Sequence, residues 1–152
     1  MATTEKICDD ALLEPWVELA GRLGFSRSVG QIYGLLFLSE APLSAQDCVA
    51  QLGISRSSAG QGLKSLREVG AIRTVFMTGD RSERFAIEPD LGVMVGKILD
   101  LRLMPAFAAF FVSLEQAART ADCAVSPQRV QKLGRWRDKL VDAVSTVKQE
   151  LL

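Results

Sequence analysis

Apolar residues recur at helical spacing along most of the chain, and the period changes once, near the middle. The first periodic stretch, roughly Pro15 to Leu23, places Trp16, Leu19, Ala20 and Leu23 on one face. Pro15 suits a first helical turn and Gly24 ends the run. A second helix is predicted from about Ser26 to Leu38, with Val29, Ile32, Tyr33, Leu36 and Phe37 as its stripe, followed by the turn "SEAPLS" around Pro42. Ser44 followed three residues later by Asp47 reads as the capped start of a short third helix that stops at Gly53. Two residues on, Ser55 caps a fourth, 56–67, whose Ala59, Leu63 and Leu66 are spaced i, i+4, i+7.

Two short helices joined across a tight glycine turn form a helix-turn-helix, in which the second helix is the one able to enter a DNA major groove. Past Gly70 the pattern becomes β-rich in two runs, Ile72 to Phe76 and Arg84 to Ile87, around "TGDRS". A hairpin directly after a helix-turn-helix is a wing. From Asp90 the chain is helical again. One long helix, about Leu91 to Ala121, carries Met94, Ile98, Leu101, Phe107, Phe111, Leu114 and Ala118, with a bend expected at Pro105. Another opens at Ser126-Pro127 and shows Leu133, Trp136, Leu140, Val144, Val147 and Leu151. The expected fold is mainly α with a small β-hairpin wing: a winged helix-turn-helix over 1–90 and long dimerisation helices over 91–152. The last two helices carry more apolar surface than a small winged domain could cover, and a homodimer interface is the natural sink.

Composition narrows the function classes. The 152 residues are 48% hydrophobic, and 18 basic residues balance 18 acidic ones, so net charge gives no reason to expect a polyanion partner. The distribution does. Residues 1–50 hold three basic and seven acidic side chains, whereas 53–84 hold six basic and three acidic. The chain has no histidine, which removes histidine-dependent catalysis and the commonest metal ligand. Its cysteines, Cys8, Cys48 and Cys123, are odd in number and widely spaced, which suggests neither a disulfide framework nor a zinc site and fits a reducing cytosol. The most apolar run, "LMPAFAAFFVSL" at 103–114, is shorter than a membrane span and no signal-peptide pattern opens the chain. The expectation is a cytoplasmic protein with no membrane partner, no cofactor, no metal and no enzymatic activity.

The stretch "GISRSSAGQGLKSLREVG" at 53–70 is where chemistry is expected. "GQGLKS" has the ingredients of a phosphate-binding loop, but Leu63 separates Gly62 from Lys64 and breaks the Gly-Lys-Ser/Thr order. Read as a recognition helix, the stretch turns Arg56, Ser57, Gln61, Lys64 and Arg67 outward. Arg56 and the serines suit phosphates, and Gln61 and Lys64 can reach base edges. Gly60 and Gly62 each cost a helix interior about 0.5–1 kcal/mol relative to alanine. Gly60 is expected on the DNA side, where a missing side chain permits close approach, and Gly62 in close packing. On the wing, Arg81 and Arg84 could enter a minor groove or grip its phosphates, with Asp80 shaping the turn.

The residues "GFSRSVGQIYGLLFLSEAPLS" (24–44) and "CVAQLGISRSSAGQGLKSLREVGAIRTVFMTGDRSERFAIEPD" (48–90) resemble the GbsR-type branch of the MarR-like winged-helix transcriptional regulators. The resemblance covers half to two-thirds of the chain. It implies a cytoplasmic homodimer that binds double-stranded operator DNA through recognition helix and wing. Carried over by position, it makes Ser57, Ser58, Gln61 and Lys64 groove-facing and Arg81 the wing-tip residue. Gln31 stands where the branch carries a basic residue. The resemblance also implies sensing of a small-molecule effector, and Trp16, Tyr33, Phe37, Phe76, Phe110 and Trp136 are the aromatic residues that could line its pocket or cage a quaternary ammonium. Aromatics at helical spacing are more often core. Cys8 is placed like the redox cysteines of some MarR-like proteins, but Asp9 and Asp10 beside it disfavour a thiolate. Cys48 and Cys123 read as small core residues. The alternative function is a winged-helix protein-interaction module that does not read DNA.

Overall fold

The computed structural model describes residues 9–79, 81–120 and 126–151. It divides into two compact units, one reaching to Leu91 and one starting at Gly92. Cys8, Asp80 and Cys123 lie outside the described residues.

In the first unit, helix α1 (Asp10–Arg22) starts earlier than the pattern predicts, because Asp9 caps it by accepting from the Ala11 amide at 3.2 Å. Pro15 therefore lies inside the helix and not in its first turn. The buried stripe is Leu13, Val17 and Ala20, while Leu19 and Leu23 of the predicted face are about half exposed. Helix α2 (Arg27–Leu38) follows Ser26 and is buried on nearly every side. Leu35, outside the predicted stripe, is as inaccessible as Ile32, whereas Phe37 is half exposed. A single-face pattern fails here because α2 packs against both α1 and α4. A Cβ at Gly30 would lie 2.6 Å from the Trp16 carbonyl oxygen, so α1 and α2 meet backbone to backbone.

The "SEAPLS" turn ends in a strand too short for alternation to reveal, β1 (Leu43–Ser44). Helix α3 (Ala45–Leu52) has the full capping box: the Asp47 amide donates to Ser44 Oγ at 3.1 Å and the Ser44 amide donates to Asp47 Oδ2 at 2.8 Å. Gly53 ends it at φ 64°, a left-handed conformation that glycine adopts at little cost. Helix α4 (Arg56–Glu68) is capped by Ser55 Oγ, which accepts from the Ser58 amide at 3.0 Å. Strands β2 (Ile72–Val75) and β3 (Arg84–Ile87) form the hairpin, antiparallel, with Thr74 opposite Phe85. Because β1 also pairs with β3, Leu43 opposite Phe85, the sheet has three strands in the order β1-β3-β2. The core gathers Leu13, Ile32, Leu36, Cys48, Leu63 and Phe85.

In the second unit, the long helix expected from Leu91 is interrupted. Helix α5 (Leu91–Ile98) passes into π-helical turns over Leu99–Leu103 before α6 (Met104–Thr120). The Met104 amide donates to the Leu99 carbonyl, five residues back. The proline ring at 105 would crowd the carbonyl four residues before it, and the wider turn precedes that point. Leu101, within the π turns, is exposed although the helical spacing assigns it to the stripe. Helix α7 (Pro127–Leu151) follows Ser126. Phe111 is the buried apolar side chain of α6, with the Arg137 guanidinium 5.8 Å from its ring centroid. Phe110, Val112 and Trp136 are among the large apolar side chains more than half exposed.

Candidate nucleic-acid interface

Helix α4 is amphipathic in the way a groove-reading helix requires. Ala59, Gly62, Leu63 and Leu66 are buried, and Arg56, Ser57, Gly60, Gln61, Lys64 and Arg67 are exposed. Ser58 is half-buried and turns its hydroxyl to Ser55, 2.9 Å away. Gln61 reaches back one turn to Ser57 Oγ at 3.5 Å, so both polar groups stand on one outer face. The two glycines separate cleanly. A Cβ at Gly62 would lie 2.5 Å from Ile32 Cδ1, so this glycine lets α4 press against α2. A Cβ at Gly60 would meet nothing within 4 Å.

Beside Gly60 a groove of about 470 Å³ runs between α3 and α4. Val49 and Ala50 form one side, Ala59 and Gly60 the other, and Gln46 and Arg56 its rim. Gln46 was not among the residues the motif singled out, and the signal for it is positional: it is an exposed polar side chain in the first turn of the capped α3.

The basic side chains hold different stations. Lys64 pairs with Glu68 at 3.9 Å and Arg67 with Glu83 of the wing loop at 3.4 Å, both on the surface. Exposed pairs of this kind contribute about 0–1 kcal/mol, so exchanging them for phosphate contacts costs little. Arg81 is exposed beside the wing tip, where Gly79 takes φ 88°. Arg84 is engaged elsewhere. It is part-buried and donates to the Pro42 carbonyl at 3.3 Å and to Asp47 Oδ2 at 3.4 Å. It thereby ties the root of the wing to the capping box of α3. Arg73, exposed on β2, is a further cation of the wing.

Among the described residues no cluster of His, Cys, Asp or Glu could hold a metal ion, and no helix is long and apolar enough to cross a membrane. Burial, reinforced by the neighbouring Asp47 carboxylate, pushes the Cys48 thiol up to about 11, a setting opposite to that of a reactive thiolate. The candidate pocket aromatics fall into separate groups. Trp16 packs on Tyr33 and Phe37 with centroids 5.3 and 4.8 Å apart, Trp136 on Phe107 and Phe110 on Phe111, and Phe76 stands out from the wing, 75% exposed.

The helix, turn, helix, wing order with a three-stranded sheet matches a solved structure of a transcriptional regulator with a TM-score of 0.74, over 93% of this chain and 94% of that one. At 20% identity the likeness shows the fold. In sequence, 81 residues, 53% of this chain, are 26% identical to the HTH-type transcriptional repressor GbsR of Bacillus subtilis (strain 168). The chain has a winged helix-turn-helix fold and is similar to GbsR over that stretch. The matched stretch is 44% of that repressor's length, so the chain spans under half of it. No protein-family model matches the chain.

Proposed function

We propose that this GbsR-like chain is a cytoplasmic, sequence-specific DNA-binding regulator of transcription that occupies operator DNA as a homodimer. The observation that carries the reading is the outer face of α4, where Ser57, Gln61 and Lys64 project from a helix held rigidly from behind by Ala59, Gly62, Leu63 and Leu66. Arg56, Arg67 and Arg81, with Ser57 and Ser58 at the amide-rich start of α4, supply phosphate contacts. Gln61 and Lys64 reach base edges, glutamine pairing with adenine and lysine with guanine. Arg84 contributes by fixing the wing against α3. The sequence relative is named a transcriptional repressor, which supports the same class. A small-molecule effector would act by changing how the two recognition helices of the dimer are presented.

Titration of the purified protein against the DNA upstream of its own coding sequence tests this at two salt concentrations. With about six phosphates neutralised per dimer, affinity should fall about a thousandfold between 50 and 200 mM salt. Replacing Gln61 and Lys64 together by alanine should weaken binding at least tenfold without changing the melting temperature. A flat salt response, or equal binding by the double variant, would reject DNA reading by α4.

A further inference from the structure

Gly60 poses a problem that the fold does not solve. A glycine inside a helix is destabilising relative to alanine, and an added Cβ would touch no neighbouring atom within 4 Å. Stability alone therefore favours alanine at this position. One turn before Gly60 stands Arg56 and one turn after it Lys64, both exposed, so the gap is bracketed by cations on its own helix. On the α3 side it opens into the groove walled by Val49 and Ala50, with Ala59 fully buried at its floor. The arrangement is an apolar notch between two cationic side chains, on the element proposed to read DNA.

The chemistry of the major groove limits what fits such a notch. Adenine, guanine and cytosine present hydrogen-bonding groups there, and thymine alone adds an apolar group, its C5 methyl. The geometry points to Gly60 as a specificity-determining residue. With Arg56 anchored on a phosphate and Lys64 on a neighbouring base edge, the bare backbone at position 60 admits one thymine of each half-site, its methyl seated against Val49 and Ala50. Gln61, the next residue, hydrogen-bonds the edge of an adjacent base. The missing side chain is then a reading device, and its cost to the helix is recovered only when DNA is bound. This inference rests on the DNA-binding reading and names the base that its central helix selects.

The test compares wild type with Gly60→Ala on upstream DNA in which each thymine of the protected region is replaced in turn by uracil, which lacks only the methyl. For wild type, uracil at one position of each half-site should lower affinity about fourfold per methyl, and the other positions should be silent. Gly60→Ala should melt at the same or a higher temperature, bind the thymine duplex about tenfold more weakly and lose the distinction between thymine and uracil. A flat uracil scan, or a variant that binds as tightly as wild type, would overturn the inference while leaving DNA binding intact. A variant that binds weakly yet keeps its uracil sensitivity would overturn it too, since Gly60 would then serve backbone approach alone. Absence of DNA binding by wild type would reject this inference and the proposed function together.

Discussion

At the scale of single residues, the helix α4 carries the same amino acid twice for opposite reasons. Gly62 faces inward, where Ile32 occupies the space a side chain would need. Alanine there should destabilise the first unit by about 1–3 kcal/mol, read as a lower denaturant midpoint, because the close-packed Ile32 cannot retreat freely. Gly60→Ala should leave that midpoint unchanged or raise it, so the pair distinguishes packing from reading on one helix. The spacing of Ala59, Leu63 and Leu66 already implied these different sides. The placement of Arg84 could not be read in the same way. Its partner Asp47 lies 37 positions away in sequence, and only the pairing of β1 with β3 brings the two together.

At the scale of elements, the caps were legible because they are local: Ser44 with Asp47 and Ser55 with Ser58 each act within three residues. The elements that were missed depend on distant neighbours or are too short for a period. Two residues make up β1, the start of α1 is set by Asp9 ahead of a proline that suggested a later beginning, and the π turns interrupt a stretch whose apolar spacing reads as one continuous helix. Asp47 joins two elements, since its carboxylate serves both the α3 cap and Arg84 of the wing. Asp47→Ala should cost about 0.5–1.5 kcal/mol through loss of the Ser44 amide to Asp47 carboxylate half of the capping box, the Ser44 Oγ cap remaining. It should also raise amide exchange at β3 beyond what the same loss of global stability produces elsewhere. Equal effects on α3 and on the far side of the unit would show that the Arg84 link carries nothing.

At the scale of the whole molecule, the second unit leaves large apolar side chains uncovered within itself, including Phe110, Val112 and Trp136. Exposed patches of this kind mark interaction surfaces, and a second copy of the chain is the partner proposed above. Replacing Phe110 and Val112 by glutamate should convert the dimer to monomer in sedimentation, and should weaken operator binding because one half-site is lost per particle. An unchanged mass would place the interface elsewhere. Within the first unit, tight packing has a mechanical consequence. Gly30 and Gly34 of α2 lie against Trp16 of α1, and Ile32 of the same helix lies against Gly62 of α4. A methyl group at Gly30 would meet the backbone of α1, whereas at Gly34 and Gly62 it would meet side-chain atoms of Trp16, Leu13 and Ile32. Gly30→Ala should therefore lower the denaturant midpoint more than Gly62→Ala, because backbone gives way less easily than a side-chain end.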